Sequence, residues 1–167
     1  MMQADKKSLL FIDDEESILK TLGFYLNKNG FNVDTASSGE EGLDKFKKTQ
    51  PDIVITDLMM EGISGLEVLD EIMRIDKDVM VLVLTGYGSL DSSLEALRLG
   101  AYDYLQKPCD REELAIKVSQ GLHKQVLERQ VKTLNSQLIA ANNELINREK
   151  NSKPKTLNWK IFSFWMD

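Results

Sequence analysis

Short apolar runs closed by polar residues recur along the first two thirds of the chain. Leu9-Leu10-Phe11-Ile12 runs into Asp13-Asp14, Ile53-Val54-Ile55 into Thr56-Asp57, and Val79–Leu84 into Thr85-Gly86. Continuous runs of this length predict strands buried on both faces, the pattern of a parallel sheet covered by helices. Phe31–Ala36 alternates instead and predicts an edge strand. Ala101–Leu105, stopped by Lys107-Pro108, predicts a fifth strand.

Helical spacing fills the intervals. Glu15–Asn29 places Ile18, Leu19, Leu22 and Leu26 on one face, with Gly30 as its C-terminal stop. Ser38 precedes a helix over Gly39–Lys48 with Leu43 and Phe46 inward. Ser64–Ile75 carries Leu66, Leu69, Ile72 and Met73; Leu90–Leu99 carries Leu94, Leu97 and Leu99 and is closed by Gly100. Asp110 is placed to cap a last helix from Arg111. Strand and helix alternate five times, which predicts a doubly wound α/β domain with a five-stranded parallel sheet over residues 1–120. In such folds the functional groups collect at the carboxyl ends of the strands. Asp13, Asp14, Asp57 and Thr85 close three of the runs, and Lys107 lies just past a fourth, so one crevice should hold all five.

The last helix meets no stop signal until Pro154. Leu114, Val118 and Leu122 should pack on the domain. Beyond them Val131, Leu138 and Leu145 recur every seven residues, as do Leu127, Leu134 and Ala141. This a/d pattern, with Lys124 and Arg148 at the flanking seam positions, predicts an extended C-terminal helix that forms a parallel two-stranded coiled coil over residues 121–150, hence a homodimer. Residues 151–167 form an aromatic tail with Trp159, Phe162, Phe164 and Trp165. A docking peptide, an interfacial membrane anchor and the start of an output domain all remain open; Lys153, Lys155 and Lys160 mildly favour a membrane surface.

Charge refines this division. Of a net charge of −6 over 167 residues, residues 1–120 hold 23 acidic and 13 basic side chains, a balance of −10, and residues 121–167 hold 4 and 8, a balance of +4. So dilute a positive charge argues against a nucleic-acid partner. Cys109 is the lone cysteine and is read as a spacer; an internal disulfide is impossible, which fits a reducing compartment. The chain lacks an apolar run of membrane-spanning length and a recognisable signal peptide, so the cytoplasm is expected.

Three carboxylates in one crevice repel, each pair by about 4 kcal/mol at close range with an effective dielectric near 20. A divalent cation and one lysine would cancel that charge. Mg²⁺ suits oxygen ligands and commonly joins carboxylates to a phosphate. An aspartate can attack phosphorus and hold the group as an acyl phosphate.

At this point a family resemblance emerges. Ile12-Asp13-Asp14, Thr56-Asp57-Leu58-Met59-Met60, Ser64-Gly65, Leu84-Thr85-Gly86-Tyr87-Gly88 and Gly100–Pro108 resemble the receiver domain of bacterial two-component response regulators. Leu84–Pro108 looks most like receivers of the nitrogen-regulator type. The resemblance covers residues 8 to about 120 and implies a CheY-like, flavodoxin-like sheet. It implies that Asp57 is the phosphoacceptor. Asp14 would be a direct Mg²⁺ ligand, Asp13 would act through metal-bound water, and the Met59 backbone carbonyl would complete the set. Lys107 would pair with the phosphoryl oxygens from behind a cis Lys107-Pro108 bond, and Thr85 and Tyr104 would form the switch. The implied partner is a sensor histidine kinase or a phosphotransfer protein. The domain would be no enzyme beyond its own phosphorylation and dephosphorylation. Glu61 departs from the family, which usually has proline there; the change should loosen the loop and add charge beside the site. Two rivals stand beside this reading. One is a phosphorylation-independent dimeric adaptor. The other is an aspartyl-phosphate phosphatase, which would want an aspartate where Met59 sits.

Overall fold

The computed structural model describes residues 6–86 and 90–152, so the expected aromatic tail lies outside the described residues from position 153 onward. Strands β1 (Ser8–Ile12), β2 (Asn32–Ala36), β3 (Ile53–Asp57), β4 (Met80–Thr85) and β5 (Asp103–Gln106) alternate with helices α1 (Glu16–Lys28), α2 (Gly39–Thr49), α3 (Gly65–Ile75), α4 (Leu90–Leu99) and α5 (Arg111–Ser152). The strands form one sheet in the order β2-β1-β3-β4-β5, every neighbouring pair parallel. This is the doubly wound five-stranded sheet with a long last helix that the apolar runs predict. Strand order reverses between β1 and β3, and the crevice at their carboxyl ends is where such folds place their chemistry.

Period-two alternation divides the core into two layers. Leu10, Ile12, Val54, Val81 and Val83 meet Phe46, Leu69 and Ile72 on one face. Leu9, Phe11, Ile55, Leu82 and Leu84 meet Leu26, Leu114 and Val118 on the other. β3 and β4 are buried along their whole length, whereas β2 alternates exposed and covered positions as an edge strand does.

Local chemistry sets the helix starts. Ser38 accepts the Glu41 N–H at 3.2 Å to begin α2. Ser64 and Glu67 form a reciprocal capping box at α3. Gly65 has no alternative residue: a Cβ there would lie 1.9 Å from the Asp57 carbonyl oxygen. That contact seats α3 directly against the end of β3.

One sequence expectation fails in α4. Leu94 and Leu97 are 41% and 38% exposed, while Ser93 and Ala96 are buried. Small side chains let this helix lie close to its neighbours, so the covered face is the one with less bulk. Burial of Ala96 also lets its carbonyl accept the Ala101 N–H at 3.0 Å, closing the turn into β5.

The compact unit runs to Val126. Gly121 makes this possible, since a Cβ there would collide with the Met80 side chain and crowd Tyr102. One turn later Gln125, buried, donates from Nε2 to the carbonyls of Asp78 at 2.7 Å and Asp52 at 3.2 Å. Asp52 is itself held by Ser8, whose N–H and hydroxyl both reach its Oδ2 at 3.1 Å. The N-terminal end of the sheet is thus stitched to α5 by a satisfied polar network. The second unit, described here over residues 127–152, is helical throughout. Its seam side chains Leu127, Val131, Leu134, Leu138 and Leu145 are 57–60% exposed in the single chain.

Candidate functional site

The polar residues that close β1, β3 and β4 converge with Lys107. Asp13 is fully buried; its N–H donates to the Ala36 carbonyl at 3.1 Å, and its Oδ1 accepts the Glu15 N–H at 2.9 Å. Asp57, 4% exposed, accepts the Met59 N–H on Oδ1 at 3.2 Å. Asp14 is exposed, and its Oδ2 accepts the Glu61 N–H at 3.3 Å. Asp13, Asp14 and Asp57 can each present an oxygen within 4.8 Å of the others.

Lys107 holds this cluster together. Its Nζ lies 2.7 Å from Asp13 Oδ2, 2.8 Å from Asp57 Oδ2 and 3.4 Å from Glu15 Oε1. Its backbone N–H donates to the Thr85 carbonyl at 2.7 Å, and the Lys107-Pro108 peptide is cis, as the resemblance implied. Charge-assisted contacts of this length are among the stronger polar interactions in proteins. Removing the lysine would leave two buried carboxylates facing each other, at a cost of about 3–5 kcal/mol.

Titration follows from the burial. Burial raises the Asp13 carboxyl above its ordinary range, and the charge of Asp57 adds to this; hydrogen bonds from Lys107 and Glu15 offset only part of it. Burial alone would pull the Lys107 ammonium down, but its hydrogen bonds to Asp13 and Asp57 and their charges win and hold it above the usual lysine value. The lysine therefore stays protonated at any physiological pH. Cys109, read as a spacer, is half-buried against the second core layer, and burial pushes its thiol up.

The switch candidates sit on adjoining strands. Thr85 is 2% exposed, and its Oγ1 has no hydrogen-bond partner among the described residues. Tyr104 on β5 pairs in register with Val83 and packs half-buried against the first core layer. The Met59 side chain points to solvent, and its backbone belongs to the loop that Asp57 Oδ1 closes. Sequence reasoning missed Glu15, read only as a helix start. Its position directly after Asp13-Asp14 was the available signal.

The donor set fits a hard divalent cation. Three carboxylates face one ammonium, and all the donors are oxygens. Among the described residues, Asp13, Asp14 and Asp57 are the groups that could hold such an ion.

Comparison with known proteins adds an independent line. Residues 9–119 match the family profile described as response regulator receiver domain. The chain is 37% identical over 106 residues to the transcriptional regulatory protein GlrR of Escherichia coli, covering 64% of this chain and 24% of that protein. It is 39% identical over 108 residues to the acid tolerance regulatory protein ActR of Rhizobium meliloti, covering 65% and 56%. The matched curated relatives cited are thus longer proteins, of which this chain covers about a quarter to just over half. Among solved structures, a response regulator receiver domain protein from Clostridium thermocellum superposes with a TM-score of 0.70 at 39% identity, covering 72% of this chain and 98% of that one. NtrX from Brucella abortus superposes with a TM-score of 0.73 at 28% identity, covering 77% and 29%.

Proposed function

The chain belongs to the response regulator receiver domain family of two-component systems, and from that premise we propose that Asp57 is its phosphoacceptor. A carboxylate oxygen of Asp57 attacks phosphorus on a phosphohistidine of a sensor kinase or phosphotransfer protein. The P–N bond breaks, the imidazole nitrogen keeps the electron pair and takes a proton, and an acyl phosphate remains on Asp57. The observation that carries this reading is the Lys107 ammonium, 2.8 Å from Asp57 Oδ2 and anchored by buried Asp13. Lys107 stabilises charge on the transferred oxygens without moving a proton. Mg²⁺, when bound by Asp13, Asp14, Asp57 and the Met59 carbonyl, supplies further neutralisation of that charge. Thr85 offers its hydroxyl to the arriving group, and Tyr104 repacks as Thr85 moves.

Output passes through α5. Its exposed heptad seam pairs two copies in parallel, and the receivers bias the geometry of that pair. The protein works in the cytoplasm and catalyses only its own phosphorylation and dephosphorylation. That several relatives are named transcriptional regulators supports a reading in which this module acts upstream of transcription, and the balance of −10 over residues 1–120 favours a DNA contact made outside the receiver. A DNA-binding segment or partner fills that role.

Acetyl phosphate with Mg²⁺ tests the reading directly. Intact-mass spectrometry should show one added phosphoryl group of about 80 Da on the wild type and none on Asp57→Asn. Equal labelling of the variant would refute the assignment. An unlabelled wild type would favour the adaptor, and steady turnover of a phosphorylated substrate would favour the phosphatase.

A further inference from the structure

The loop between β3 and α3 is held at alternate residues by carboxylates. The Met59 N–H donates to Asp57 Oδ1 at 3.2 Å, the Glu61 N–H to Asp14 Oδ2 at 3.3 Å, and the Ile63 N–H to Glu40 Oε1 at 3.2 Å. Two of these acceptors belong to the acidic cluster, and the third stands on the first turn of α2. The middle contact exists because residue 61 is not proline. Proline has no backbone N–H, so the residue that the resemblance leads one to expect there would give Asp14 no such donor. Glu61 therefore does more than add charge: its backbone ties the turn after β1 to the loop after β3, across 47 residues of sequence.

The ends of the loop are anchored independently of Asp14. At the near end the Leu58 N–H donates to the Leu84 carbonyl and the Gly65 N–H to the Leu58 carbonyl, both at 3.0 Å. The far end rests on α2. Ile63 lies so close over Gly39 that a Cβ there would come within 2.5 Å of its side chain. Gly62, at a φ of +84°, approaches Glu40 so closely that a Cβ would lie 2.7 Å from Oε1. Hydrogen bonds from its own backbone N–H and from that of Ile63 hold the Glu40 carboxyl below its ordinary range, so it is an ionised acceptor at neutral pH. Asp14, by contrast, is exposed. A side chain already oriented by a donor gives up less rotamer freedom when it takes a ligand than one that turns freely.

We propose that Glu40 and the Glu61 backbone N–H are positioning groups for the divalent-cation site: Glu40 fixes the loop through Ile63, and the loop orients the Asp14 carboxylate for the ion. The coupling is reciprocal, so the bound ion steadies the loop in turn. This rests on the reading of the acidic cluster as the Mg²⁺ site.

Titration of the unphosphorylated full chain with Mg²⁺ alone, followed by amide NMR, tests it. Glu61→Ala removes the side-chain charge and keeps the N–H, whereas Glu61→Pro removes both. Glu61→Pro should bind Mg²⁺ about tenfold more weakly than Glu61→Ala. Glu40→Ala should bind about threefold more weakly than the wild type, and Glu40→Gln, which keeps an acceptor oxygen but no charge, should recover most of that loss. Without Mg²⁺, the Ile63 amide should exchange with solvent faster in Glu40→Ala but not in Glu40→Gln. Equal affinities of the two Glu61 variants overturn the role of the N–H. Equal weakening in the two Glu40 variants makes the effect one of charge and overturns the role of Glu40. Should Glu61→Pro fail to fold, the Glu40 pair decides alone. A wild type that binds no Mg²⁺ refutes the cation site itself; a wild type that binds it with every variant unchanged refutes only the positioning.

Discussion

Helix α5 presents the same kinds of side chain to two different fates. Leu114 and Val118 are fully buried against the sheet, whereas Val131 and Leu138, further along the same helix, are more than half exposed. The spacing is helical in both stretches, and the residues are equally apolar. What differs is the covering surface: the chain supplies one for the first stretch and, among the described residues, none for the second. Periodicity alone therefore identifies an apolar face but not what occupies it.

Truncation at matched positions should make that contrast quantitative. Leu114→Ala should destabilise the receiver by about 2–5 kcal/mol in chemical denaturation, because a fully packed site loses its side chain and keeps the cavity. If the loss falls below 1 kcal/mol, the helix is not an integral part of the core. Gln125→Ala should cost less, about 1 kcal/mol, since it removes two part-buried hydrogen bonds to the Asp52 and Asp78 carbonyls. A neutral result would mean that water replaces the amide freely. Leu138→Ala should change receiver stability by under about 0.5 kcal/mol, as surface substitutions do. It should act on dimer dissociation instead. A receiver midpoint that shifts as far as in Leu114→Ala would erase the distinction between the two stretches.

The same contrast explains what could be read from sequence. The strands were legible because β1, β3 and β4 are covered on both faces, which forces continuous apolar runs. The pocket was legible because polar residues that interrupt such runs have few other reasons to be there; Asp13, Asp57, Thr85 and Lys107 do converge. In α4 the helical spacing of leucines predicts Leu94 and Leu97 on the covered face, but close approach favours the small Ser93 and Ala96. Gln125 was not legible at all. Its partners are backbone carbonyls 47 and 73 residues away, and a carbonyl leaves no mark in a sequence.

That glutamine has a consequence for cooperativity. Its hold on two loops of the sheet makes the turn of α5 around residue 125 part of whatever opens when the receiver unfolds as a whole. Backbone amides of α5 up to that turn should therefore exchange with solvent more slowly than those beyond residue 127, a contrast that hydrogen-exchange mass spectrometry would read. A single unbroken helix thus spans two compact units, and the border between them falls just past a side chain rather than at a break in the backbone.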